Sequence, residues 1–178
     1  MLKRSPIIIL SIALALSGCS SLSSSAGDST SSEAVNSAPA VPELTGVPVA
    51  VEVSAELDVE PVVTITPGDP VTELQVTDVV VGEGDAVQAG ATVTAHYVGY
   101  GAATGAMFDG SWARGEPATF PLPNVILGWQ EGLVGMQAGG RRLLVIPAEL
   151  GYGNNPPPNS GIEAGETLIF VVDLVSSE

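Results

Sequence analysis

The distribution of apolar residues limits the fold of this chain more than any other feature. They crowd into the first sixteen positions and again after Leu74, while the stretch between is rich in Ser, Ala, Pro, Val and acidic residues. A segment without large apolar side chains cannot bury enough surface to offset the entropy lost on ordering it. The 178 residues are 45% apolar, so one well-buried core is affordable, and it is expected over residues 74–178.

Periodicity within that region says what the core is made of. The run LQVTDVVVG from Leu74 is strand-like and ends in Gly82-Glu83-Gly84-Asp85. Residues 91–98 alternate, putting Val93, Ala95 and Tyr97 on one face and Thr94, His96 and Val98 on the other. Residues 141–146 and 167–175 are two further strands, the second pointing Leu168, Phe170, Val172 and Leu174 one way. Helical spacing occurs over residues 124–136, where Ile126, Trp129, Leu133 and Met136 recur, although Gly128 and Gly132 weaken the intrinsic preference. Antiparallel strands and one short helix can bury their apolar sides only against each other. The expected class is α+β, with the helix on one face of a twisted antiparallel sheet.

Upstream, residues 1–18 read as an export signal, with Lys3 and Arg4 as the positive region and IIILSIALAL as an apolar stretch too short for a comfortable span. Leu16-Ser17-Gly18-Cys19 resembles the bacterial lipobox, which implies acylation of Cys19, for example with palmitate, and removal of the residues before it. Cys19 is the only cysteine, so an exported domain has no internal disulfide to make with it. An ordinary secretory signal with an incidental cysteine is the alternative. Residues 19–73 are expected to be a tether: SSLSSSAGDSTSSE is low-complexity and polar, and the part from Val41 to Asp69 is an extended arm. In that arm Thr64-Ile65-Thr66 could pair as an edge strand, but Pro42, Pro48, Pro61, Pro67 and Pro70 interrupt it. Whether the arm packs on the domain is left open at this level.

The formal charge is −15, and once Lys3 and Arg4 are removed only Arg114, Arg141 and Arg142 remain basic. A nucleic-acid partner is not expected, nor is a polybasic contact with anionic lipid. There is no Gly-x-Ser-x-Gly elbow and no phosphate loop, and one His with one Cys cannot build a usual zinc site. Neither a metal nor another cofactor is therefore expected.

The ordered segments HYVGY, MFDGSWARGEPATF, NVILGWQEGLVGM, RRLLVIP, AELGYG and GETLIFVVDLV resemble the FKBP family of peptidyl-prolyl cis/trans isomerases, or rotamases, over about the last hundred residues. The resemblance implies a twisted antiparallel sheet wrapped around a short helix with an apolar pocket between them. It implies catalytic roles for Tyr97, Phe108, Asp109, Ile126, Trp129, Tyr152 and Phe170, with Trp129 as the floor and the Ile126 N–H and Tyr152 hydroxyl as donors. Arg114 would pair with Asp109, and Phe120, Val125 and Ile162 would complete the substrate-binding wall. Proline-containing polypeptides, and macrolides of the rapamycin type, are the ligands it implies. Ala118 stands where the family often has a bulky aromatic, and NNPPPNSGIEAGE after Tyr152 departs from the usual Ile-Pro-Pro, so this loop is where the pocket is expected to differ.

Each residue has a plainer reading. Phe108, Phe120 and Phe170 serve as simple core in most folds, and Asp109 before Gly110 suits a turn. His96, opposite Tyr97 in the alternation, reads as structural. The expected function is isomerisation of X–Pro bonds in exported proteins by a lipid-anchored, extra-cytoplasmic monomer. The alternatives are a lipoprotein that binds proline segments or acts as a chaperone without turnover, and a receptor for a small apolar ligand.

Overall fold

The computed structural model of the chain describes residues 49–178. Cys19, the expected export segment and the polar spacer lie outside the described residues. The alternation read around Tyr97 becomes a ten-residue strand of the main sheet, lying between a second long strand and two short edge strands. Numbered in chain order, the strands are β1 (Ala50–Val53), β2 (Val63–Thr66), β3 (Gln75–Val80), β4 (Thr92–Gly101), β5 (Met107–Gly110), β6 (Ala118–Pro121), β7 (Arg141–Ile146) and β8 (Leu168–Ser177), with one α-helix, α1 (Leu127–Gly132). The main sheet runs β3-β7-β8-β4-β5, and every pairing is antiparallel. Because β4 is ten residues long, two short strands share its outer edge: β6 pairs with Thr92–Ala95 and β5 with Val98–Tyr100.

One face of this sheet carries the core that the helix closes. Val93, Ala95 and Tyr97 from β4 and Leu168, Phe170, Val172 and Leu174 from β8 are buried there with Trp129, Leu133 and Met136. The two sets are the alternating positions that periodicity singles out.

The helix is shorter than the 124–136 spacing suggests. It occupies Leu127–Gly132, is preceded by a 3₁₀ turn at Leu122–Asn124, and is left by Gly135 at φ +79°. Packing explains the shortness. A Cβ on Gly128 would stand 2.4 Å from Ile146 Cγ2 and one on Gly132 2.7 Å from Leu144 Cδ2, so the glycines that weaken the helix also let it lie against β7. Arg142 holds its end, donating to the Gly132 carbonyl at 2.8 Å and to Asp78 of β3 at 2.7 and 3.0 Å.

The opposite face is covered too. β1 and β2 pair as an antiparallel hairpin, with Val53 opposite Val63. Val51, Val53, Val63 and Ile65 pack on Val98, Leu143, Val145, Ile169 and Val171. Arg141 fastens the hairpin down. Fully buried, it grips Asp173 through two bonds of 2.6 Å and donates to the Ser54 and Val59 carbonyls at 2.8 Å each. The arm upstream of Leu74 is thus, from Val49 on, part of the folded unit. Pro61 lies before β2 and Pro67 directly after it, so neither interrupts the hairpin ladder.

Candidate active site

Aromatic side chains from five elements converge between the helix and the sheet. Trp129, 3% exposed, is their hub: its ring meets Tyr97 (5.6 Å between centroids), Phe120 (5.4 Å) and Phe170 (5.4 Å), each edge to face. Tyr97 also meets Phe120 at 5.5 Å, and Phe108 meets Phe170 at 5.5 Å. Edge-to-face pairs at such distances add about 0.5–1.5 kcal/mol each beyond area burial, which fixes the rings relative to one another. Gly99 makes the Phe108–Phe170 pair possible, since a Cβ there would lie 2.8 Å from both rings. Phe108, Phe120, Val125, Ile126, Tyr152 and Ile162 pack on this core while half-buried, as befits a wall rather than an interior.

At one edge the apolar wall meets a polar triad. The Tyr97 hydroxyl donates to Asp109 Oδ2 at 2.5 Å and accepts from Arg114 Nη2 at 3.1 Å, while Arg114 Nη1 reaches Asp109 Oδ1 at 3.3 Å. Asp109 Oδ1 also accepts the Gly110 N–H at 2.8 Å. Burial, and next the hydrogen bond to Asp109, push the Tyr97 phenol above its ordinary value against the opposing pull of Arg114. Tyr152 is raised as well, first by burial and then by the Asp109 charge. Both phenols are therefore neutral donors throughout the physiological range.

Two donors at the wall are unspent. Among the described residues the Ile126 N–H, just ahead of α1, and the Tyr152 hydroxyl make no hydrogen bond, whereas the Ile126 carbonyl is used by the Trp129 and Gln130 N–H groups. The buried indole Nε1 of Trp129 is unpaired too. Leaving such a group without a partner costs about 1–3 kcal/mol, and Trp112 Nε1, outside this cluster, is buried and unpaired as well.

Of the residues that the resemblance implicates, Tyr97, Phe108, Phe120, Trp129 and Phe170 are joined by ring contacts, Asp109 and Arg114 bond the Tyr97 hydroxyl, and Val125, Ile126, Tyr152 and Ile162 pack on the same core. His96 turns the other way: it stacks on Trp112 at 4.1 Å and its Nδ1 lies 3.0 Å from Ser111 Oγ. No three His, Cys, Asp or Glu side chains come close enough to hold a metal among the described residues. Two concavities elsewhere, of about 540 Å³ beside Asp85 and Glu178 and about 190 Å³ between Val71 and Glu149, are lined by no aromatic ring.

The family model for FKBP-type peptidyl-prolyl cis-trans isomerases matches residues 84–175. The chain belongs to that family. Its relatives include an FK506-binding protein of Streptomyces anulatus, 48% identical over 119 residues that make up 66% of this chain and 96% of that protein. A probable FK506-binding protein of Corynebacterium glutamicum is 44% identical over 119 residues, 66% of this chain and 98% of its own. The crystal structure of FkpA from Escherichia coli superposes with a TM-score of 0.55 at 42% identity, covering 60% of this chain and 49% of that one. As an FKBP-type isomerase the chain is a rotamase acting on proline-containing peptides, and the fold is the family's antiparallel sheet around one short helix.

Sequence reasoning did not reach Glu166. It is 7% exposed at the foot of β8, with Oε1 accepting the Ala103 N–H at 3.2 Å and Oε2 the Glu163 N–H at 2.8 Å. The signal was present in Gly165-Glu166-Thr167, where an acid stands one residue ahead of a fully apolar run.

Proposed function

We propose that the X–Pro bond is turned in the pocket walled by Tyr97, Phe108, Phe120, Val125, Ile162 and Phe170 over the Trp129 floor. Rotation must break amide resonance, a barrier of about 18–20 kcal/mol, and no bond to another molecule need form. The twisted amide has less charge separation than the planar one, so a water-poor aromatic site favours it. The Ile126 N–H and Tyr152 hydroxyl hold the flanking peptide while the prolyl ring stays seated, and the Asp109–Arg114 pair keeps Tyr97 in place. Each 1.36 kcal/mol of preference for the twisted form is worth tenfold in rate. The observation that carries this reading is the edge-to-face cluster around Trp129 with two unspent donors at its rim. A protease-coupled assay on cis-proline peptides tests it: Tyr152→Phe should lower kcat/KM with the fold intact, and full activity in that variant removes Tyr152 from the site.

The same pocket suits macrolides of the rapamycin type, with the changed loop after Tyr152 altering affinity. We further infer that the mature protein is a monomer tethered through lipid on Cys19 to the extra-cytoplasmic face of a bacterial membrane, where its clients are exported proteins. The lipobox-like Leu16-Ser17-Gly18-Cys19 supports this, and several acyl chains on one residue suffice for stable attachment. Cys19→Ala should leave the protein soluble or unprocessed, and an unmodified, uncleaved N-terminus in the wild-type mass spectrum would sink the inference.

A further inference from the structure

Two segments outside the sheet adjoin residues assigned to the pocket. One is the turn over residues 102–106, which delivers Phe108 to β5. The other is the flap over residues 153–165, which follows Tyr152 and carries Ile162. Its base is closed by the Gly165 N–H on the Gly153 carbonyl at 2.8 Å. Glu166 is the side chain that touches both segments. One oxygen takes the Ala103 N–H and the other the Glu163 N–H, next to Ile162. Its neighbour Thr167 extends the junction, accepting the Ala102 N–H on its carbonyl at 3.0 Å and the Val71 N–H on Oγ1 at 3.3 Å.

β4 is shaped to receive this carboxylate. A Cβ on Gly101 would stand 2.3 Å from Glu166 Oε1 and meets no other group as closely. No basic side chain pairs with Glu166 among the described residues. Burying a carboxylate against backbone donors alone is expensive, and a chain selected only for stability would gain more from an apolar residue at the start of β8. What the carboxylate supplies instead is a two-ended, charge-assisted clamp between segments that otherwise share no ladder.

We propose that Glu166 is a positioning residue of the isomerase, holding the flap and the Phe108 turn at the separation that sets the pocket's entrance. It touches no substrate; it acts through Ile162, Tyr152 and Phe108. The proposal rests on the pocket assignment above, and the assay therefore includes Trp129→Leu to test that assignment separately.

The test measures kcat/KM in the full-length chain for peptides differing in the residue before proline, together with melting temperature. Glu166→Gln keeps the shape but only one acceptor, so one N–H is left facing an NH₂ group; Glu166→Ala removes both. A graded fall is expected, reaching about tenfold for Ala, since small misplacements in a site cost one to two decades, with a changed ranking of peptides. Gly101→Ala leaves the carboxylate in the chain but displaces it, and should reproduce Glu166→Ala. The double variant should be no worse than either single one, because the two changes undo one contact. Val51→Ala on the hairpin face is the stability control, expected to lower the melting temperature and leave kcat/KM and the ranking alone. Unchanged kcat/KM and ranking in Glu166→Ala would overturn the proposal, as would additive losses in the double variant or the same activity loss in Val51→Ala. If Trp129→Leu is fully active, the pocket assignment falls and takes the proposal with it; if Trp129→Leu is impaired and Glu166→Ala is not, only the role of Glu166 is lost.

Discussion

Arg114 and Arg141 each do one separable job, and their burial says which measurement will feel their loss. Arg114 and Asp109 are both half exposed, so solvent screens the pair and it adds little to stability. Its work is to orient the Tyr97 hydroxyl. Asp109→Ala should therefore melt close to wild type while kcat/KM falls by about tenfold, on the scale of other positioning losses; a melting shift without an activity loss would reverse the assignment. Arg141 is the opposite case, with no exposure and four short bonds. Removing it strands Asp173 at the sheet and costs about 3–5 kcal/mol, so Arg141→Ala should unfold at much lower denaturant with activity tracking the folded fraction. The phenols predict the pH profile. Tyr97 and Tyr152 are both raised from 10.0, so neither loses its proton below that value, and kcat/KM should be flat between about pH 6 and 9. A fall within that window would implicate some other titrating group.

At the scale of elements, α1 shows tertiary contact overriding local preference. Replacing a helix-interior glycine by alanine ordinarily gains up to about 1 kcal/mol. At Gly128 the new methyl would enter Ile146, 2.4 Å from Cγ2, and overpacking of that kind costs about 1–3 kcal/mol. Gly128→Ala should thus destabilise the protein in a urea titration despite raising helical propensity, and would also tilt Trp129. Measured stabilisation would mean that the helix stands further from β7 than described. The 124–136 spacing was legible because those side chains do face the core, but only the six residues whose backbone can stay helical beside β7 form the helix.

For the molecule as a whole, the decisive feature is that the main sheet is covered on both faces. All six residues of β7 are buried, as are Leu168 to Val172 in β8. A chain beginning at Leu74 would expose Val98, Leu143, Val145, Ile169 and Val171 and leave Arg141 with unmet donors. It should be aggregation-prone and much less stable, whereas a chain beginning at Val49 should match full-length kcat/KM and melting temperature. Equal stability of the two would show the hairpin to be an ornament.

Sequence alone determined the strand-rich domain, the inward face of β4 and β8 and the ordered motifs of the pocket, because a period of two and a set of aromatic positions are local properties of a chain. It also held an unread clue: the unbroken runs Leu143-Leu144-Val145-Ile146 and Leu168-Ile169-Phe170-Val171-Val172 lack the alternation of a half-exposed strand, and such runs require cover on both sides. What supplies that cover was not readable, since proline interruption argues against strands locally while Val51, Val53, Val63 and Ile65 are recruited by contact with residues far along the chain. The clamp at Glu166 is of the same kind. Its partners lie 63 and three residues away, and only folding makes Gly101, Ala103 and Glu163 neighbours of one carboxylate.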